Sequence, residues 1–128
     1  MELLLDTCAI IWLSAEPERF SGTARSAIDA QDAKLFASDA STWEVCLKWL
    51  AKKIVLPTPP RQWLAEQAAI WQMDRLPFEL DHFFRTCELP VLHKDPFDRM
   101  LVAQAIARGL TIVTPDPAIH AYPCAVLW

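Results

Sequence analysis

The chain has 128 residues, 53% of them hydrophobic and 22% charged, with ten prolines, only two glycines, and a net charge of −4. That length suits one compact domain large enough to fold without a disulfide or metal staple. Two glycines leave no room for a GxGxxG fingerprint, a P-loop or a GxSxG elbow, so dinucleotide binding, Walker-type phosphate binding and esterase chemistry lack support. Uninterrupted apolar runs such as Ala9–Leu13 are far too short to span a membrane, and the N-terminus carries no basic stretch followed by a long apolar one.

Cys8, Cys46, Cys87 and Cys124 are widely separated with no CxxC pair, and His82, His93 and His120 are scattered. This is neither a zinc pattern nor a disulfide scaffold, and it fits a cytoplasmic protein with reduced thiols. The acidic balance argues against a nucleic-acid binder unless a cation neutralises a cluster of carboxylates.

Glu2–Leu5 is a short apolar run ending in Asp6, which predicts a buried strand with an acid at its carboxyl end. Thr7–Leu13 begins a helix or turn, Ser21-Gly22 is a break, and Thr23–Gln31 is rich in helix formers. Lys34–Ala37 is a second strand candidate. Ser41–Lys53 predicts a helix with Trp43, Leu47, Leu50 and Ile54 on one stripe and Val45 and Trp49 on another. Pro57, Pro59 and Pro60 end it, Arg61–Met73 predicts the next helix, Leu76–Phe78 a third strand and Glu79–Cys87 another helix.

Asp95-Pro96 is a helix start, with Asp95 as N-cap, and Gly109 is the stop after Arg108. Leu110–Val113 is a fourth strand, Thr114-Pro115-Asp116-Pro117 a turn, and Ala125–Leu127 a fifth strand. Alternation of strands and helices predicts an α/β fold with a parallel sheet covered on both faces. No repeat or linker divides the chain, so a single domain over residues 1–128 is expected.

In such a sheet, strand carboxyl ends and helix amino ends share one rim. Asp6 and Asp116 follow strands, while Glu44 and Asp98 are expected in first helical turns, so the four can meet in one cleft. Each also has a local explanation. Ser41-Thr42-Trp43-Glu44 reads as a capping box, Asp98 favours the helix dipole, Asp116 sits in a turn, and Asp6 can cap the helix that follows it. Carboxylates roughly 4 Å apart repel by about 4 kcal/mol at an effective dielectric of about 20, so a cluster calls for retained protons or a divalent cation. Oxygen-only ligands suit Mg²⁺ or Mn²⁺.

Taken together, Leu3-Leu4-Leu5-Asp6-Thr7, Ser41-Thr42-Trp43-Glu44, the long stretch from His93 through Asp95-Pro96-Phe97-Asp98-Arg99 to Ala105, and Thr111-Ile112-Val113-Thr114-Pro115-Asp116 resemble a PIN-domain ribonuclease of the VapC toxin type. The resemblance implies a three-layer α/β/α fold with about five short parallel strands, and Mg²⁺-dependent endoribonuclease activity with Mn²⁺ as a substitute. It implies catalytic roles for Asp6, Glu44, Asp98 and Asp116, with Asp6 and Asp98 as the principal metal ligands. Partners implied are an RNA substrate, a VapB-like antitoxin whose C-terminal segment occupies an apolar groove, and a second copy of the chain. Asp95 fits an N-cap or a clamp on Arg99 better than a ligand. Thr7 and Thr114 can cap or can bond a water or phosphate, and Arg99, Lys48, Lys52 and Lys53 can contact flanking phosphates or form a solvated face. The alternatives are a PIN nuclease outside the toxin class, a non-catalytic PIN-like module, and a phosphoryl-transfer domain, which would want further acids beside Asp6.

Overall fold

The computed structural model describes residues 1–128. Five strands form one all-parallel sheet: β1 (Glu2–Leu5), β2 (Lys34–Ser38), β3 (Met73–Leu76), β4 (Thr111–Val113) and β5 (Val126–Leu127), in the order β3-β2-β1-β4-β5. Seven helices flank it: α1 (Thr7–Ala15), α2 (Gly22–Asp29), α3 (Asp39–Leu50), α4 (Pro60–Trp71), α5 (Leu80–Glu88), α6 (Pro96–Arg108) and α7 (Pro117–His120). No helix is long and apolar enough to cross a membrane.

β1 explains the layering. Successive side chains of a strand point to opposite faces. Leu3 and Leu5 pack with Ala9, Ile10 and Leu13 of α1, Ala24 and Ile28 of α2, and Trp63 of α4. Leu4 packs on the other face with Leu101, Val102 and Ala105 of α6 and with Ile119 and Tyr122. A strand covered on both sides has no polar face, which is why its sequence is a continuous leucine run.

Strands β1 to β3 are laid down toward one edge, and β4 and β5 toward the other. The direction of winding therefore reverses between β1 and β4, where register pairs Leu5 with Val113. Crevices at such switch points, beyond the strand carboxyl ends, are where ligands bind in open α/β sheets.

Most elements lie where the sequence predicts them, with three corrections. The third strand is Met73–Leu76 rather than Leu76–Phe78. Helix α4 stops at Gln72, whose φ of 52° turns the chain straight into an edge strand, and Pro77, lacking an amide proton, closes it. Helix α3 begins at Asp39, because the Ser38 hydroxyl at the end of β2 caps it at Ala40 N. The Ser41–Glu44 capping box is therefore not formed, and Glu44 lies in the second turn of α3 rather than the first. Finally, the Thr114–Pro117 turn leads into α7, with Asp116 as its N-cap.

Candidate active site

Asp6 follows β1 and caps α1, its Oδ1 accepting from Ala9 N at 2.7 Å. Its other oxygen, Oδ2, accepts from the Thr114 hydroxyl. That hydroxyl oxygen in turn accepts from Asp116 N at 3.0 Å. Thr114 thus sets the distance between the acid of β1 and the acid that follows β4. It does this across the switch point, where Asp6 N also donates to Val113 O at 3.2 Å.

Asp95 caps α6 by accepting from Phe97 N and Asp98 N, at 2.9 and 3.2 Å. Asp98 stands three residues further on, in the first turn of the same helix. Glu44 enters from the first half of α3, only 8% exposed, with Lys48 Nζ 3.2 Å from its Oε2. Asp6, Thr7, Cys8, Glu44, Lys48, Asp95, Asp98 and Asp116 together line one cavity of about 210 Å³. All four acids singled out from the sequence are therefore in one wall-to-wall arrangement, joined by Asp95.

Burial first, then the Asp116 and Glu44 charges, push the Asp6 carboxyl up to about 6, against the lowering effect of its bonds to Thr114 and Ala9. Burial, followed by the neighbouring Asp95 charge, also raises Asp98 to about 6, against the lowering effect of the His93 bond. No three His, Cys, Asp or Glu side chains stand at ion-binding spacing. Five carboxylates face a single ammonium in this cavity. An all-oxygen, strongly anionic donor set of this kind fits a hard divalent cation, whose charge offsets the burial and the repulsion that raise Asp6 and Asp98. Cys8 is no candidate nucleophile, since burial and the Asp6 charge push its thiol up to about 12.

Several secondary expectations are corrected by the geometry. The Arg99 guanidinium turns away from the cavity and donates to the carbonyls of Thr86 and Pro90 and to the Tyr122 hydroxyl, so it is neither clamped by Asp95 nor offered to a phosphate. Lys48 is held by Glu44 rather than forming a free basic face, a pairing legible in the i, i+4 spacing. The Thr7 hydroxyl donates to Ser41 Oγ at 3.0 Å and ties α1 to α3. The stripe of Trp43, Leu47 and Leu50 points outward, and the residues of α3 that face inward are Ala40, Ser41, Glu44 and Val45. Not anticipated was the contact of His93 Nε2 with Asp98 Oδ2 at 3.3 Å, although His93 stands inside the most selective motif of the chain.

A PIN-domain family model matches residues 3–123. Ribonuclease VapC22 of Mycobacterium tuberculosis is 32% identical over 123 residues, covering 94% of this chain and 91% of that protein. The chain belongs to the PIN-domain family and, within it, to the VapC ribonucleases. Among solved structures, VapBC2 of Rickettsia felis, bound to a promoter DNA fragment, superposes with a TM-score of 0.73 at 17% identity, covering 98% of this chain and 97% of that one. DNA-bound VapBC of Salmonella typhimurium gives 0.64 at 19% identity, covering 98% and 96%. At these identities the likeness is one of fold.

Proposed function

We propose that the chain is a Mg²⁺-dependent endoribonuclease, with Mn²⁺ able to substitute, and the toxin of a VapBC-type pair that acts in the cytoplasm. The observation that carries this reading is the meeting of Asp6, Glu44, Asp98 and Asp116 from four separate stretches of chain around one small cavity at the switch point. Family membership supplies the reaction class. The four free cysteines agree with a reducing compartment.

Asp6 and Asp98 would hold the cation, with Asp116 completing its surroundings and Asp95 adding negative charge as well as capping α6. When bound, such an ion polarises a phosphoryl oxygen and brings the pKa of its water toward neutrality. Glu44 orients the attacking water and accepts its proton, while Lys48, 3.2 Å from Oε2, holds the carboxylate in place. Thr114 fixes the Asp6 carboxylate through its hydroxyl bond and keeps Asp116 in register with it.

A VapB-like antitoxin is the proposed partner, as in the VapBC complexes that share the fold. Two apolar grooves flank α3. One holds Leu47, Leu50 and Phe97, is edged by Lys48 and Lys53, and also includes Glu44 and Asp95 of the acidic cavity; the other holds Trp43, Phe78 and Phe83. A partner segment lying in the first comes within reach of the acids, where a basic side chain would be favoured. A homodimer completes the assembly.

The test incubates purified chain with total RNA and Mg²⁺, with and without EDTA, beside Asp98→Asn. Cleavage is expected only from the unaltered chain with metal. Cleavage that survives EDTA, or equal activity in Asp98→Asn, overturns the reading.

A further inference from the structure

The stretch from His93 to Arg99 contains two residues to which the site gives no task, His93 and Arg99, and Tyr122 connects them. Arg99 Nη1 donates to the Tyr122 hydroxyl at 2.9 Å. That hydroxyl lies 2.7 Å from His93 Nδ1, and His93 Nε2 lies 3.3 Å from Asp98 Oδ2. The three side chains thus run in a line that ends on one of the two acids assigned to the cation.

Donor chemistry allows the line one continuous direction. A guanidinium has donors and no acceptor. The Tyr122 oxygen therefore accepts from Arg99, and its own single proton is free for His93 Nδ1. With Nδ1 accepting, a neutral ring has its proton on Nε2, placed to donate to Asp98. Tyr122 is only 4% exposed and packs in the core cluster of α6, which holds its hydroxyl in place. Arg99 is pinned independently, because its guanidinium also donates to Thr86 O at 2.7 Å and Pro90 O at 2.9 Å. Anchoring the end of α5 and the segment after it would require only those carbonyl bonds. The bonds through Tyr122 and His93 add a defined tautomer and a defined carboxylate orientation.

We propose that Arg99, Tyr122 and His93 form a directional hydrogen-bond relay that orients the Asp98 carboxylate for cation binding, His93 and Tyr122 acting as positioning residues. The inference rests on the reading of Asp98 as a cation ligand. Hydrogen-bonding partners of metal ligands typically affect metal affinity or activity by 10- to 100-fold.

The experiment titrates Mn²⁺ into the unaltered chain and into Asp98→Asn, His93→Ala, His93→Gln and Tyr122→Phe by calorimetry, with melting curves to show that each is folded. His93→Ala and Tyr122→Phe are expected to weaken Mn²⁺ binding by about 10-fold. His93→Gln, whose amide supplies an N–H in place of Nε2, is expected to restore most of the loss. Nitrogen NMR shifts of the His93 ring, taken at mildly alkaline pH where an ordinary imidazole is neutral, are expected to show a protonated Nε2 and a bare Nδ1.

Folded His93→Ala and Tyr122→Phe that bind Mn²⁺ as the unaltered chain does would overturn the relay alone, as would a proton on Nδ1 or a His93→Gln no better than alanine. Should a variant fail to fold, the ring shifts of the unaltered chain decide. An unaltered chain that binds no Mn²⁺, or an Asp98→Asn that binds it equally well, removes the assignment of Asp98 and the relay with it.

Discussion

Helices α3 and α6 each deliver one acid to the same cavity, yet they are built in opposite ways. Helix α6 is enclosed: Met100, Leu101, Val102, Ala103, Gln104 and Ala105 are all buried, and its ends carry their own signals, Asp95-Pro96 at the start and Gly109, at φ 66°, at the stop. Helix α3 lies at the margin, with Glu44 and Val45 turned inward and Leu50 73% exposed. A helix can be amphipathic in sequence while the stripe that looks like core faces outward. The side that is buried is decided by what the helix must present, here a carboxylate.

The sharpest way to separate the two helices is by the roles of their acids. Asp98→Asn is expected to abolish detectable Mn²⁺ binding in calorimetry and to lower kcat/KM for RNA cleavage by on the order of 10³-fold or more. Glu44→Gln is expected to retain Mn²⁺ binding while cleaving roughly 10²- to 10⁴-fold more slowly, the range of a lost general base. Equal loss of metal binding in both variants would erase the distinction and make Glu44 a ligand.

Packing provides the next contrast, read by denaturant unfolding. Leu101→Ala in α6 removes a side chain that is 1% exposed and should cost about 2–5 kcal/mol. Leu50→Ser in α3 should stay within about 0.5 kcal/mol in the chain alone. A large loss from Leu50→Ser would mean that the outer stripe of α3 is already covered by a second copy of the chain.

Legibility in the sequence follows the same division. Helix α6 was readable to its last residue because a proline, a capping aspartate and a glycine are local punctuation. Asp6 and Asp116 were readable because each follows an apolar strand. The start of α3 was not, because its cap, Ser38, is also the last residue of β2, and the hydroxyl is shared with Gln104 Oε1, 66 positions away. The orientation of Arg99 was hidden for the same reason: its acceptors are carbonyls of Thr86 and Pro90, which no side-chain pattern marks. Ser38→Ala should therefore cost about 1–3 kcal/mol, since it strands a buried amide oxygen as well as a helix end. Asp95→Ala should cost less than the cap alone, which is about 1 kcal/mol, because losing its charge also relieves Asp98.

The last contrast is one of pH, and it tests whether the acid that α6 carries is under electrostatic strain. Asp98 and Asp6 are raised from 3.8 to about 6 in the folded chain. Between those values the native state keeps protons that the unfolded chain has released, so unfolding releases protons and rising pH favours it. Metal-free stability should accordingly fall from about pH 4 to about pH 6 through these two groups, with the loss complete above that. Mn²⁺ needs the ionised carboxylates, so the rise in Tm it produces should be largest above about pH 6 and shrink below it. Asp98→Asn removes one of the two charges and should raise metal-free stability at neutral pH by about 1 kcal/mol while flattening the slope. Glu44→Gln, whose own carboxyl enters only as a minor charge on both acids, should flatten it less. A metal-free chain whose Tm climbs from pH 4 to pH 6 would show that Asp6 and Asp98 are relaxed by their hydrogen bonds rather than strained by burial, and would remove the electrostatic reason for a cation between α3 and α6.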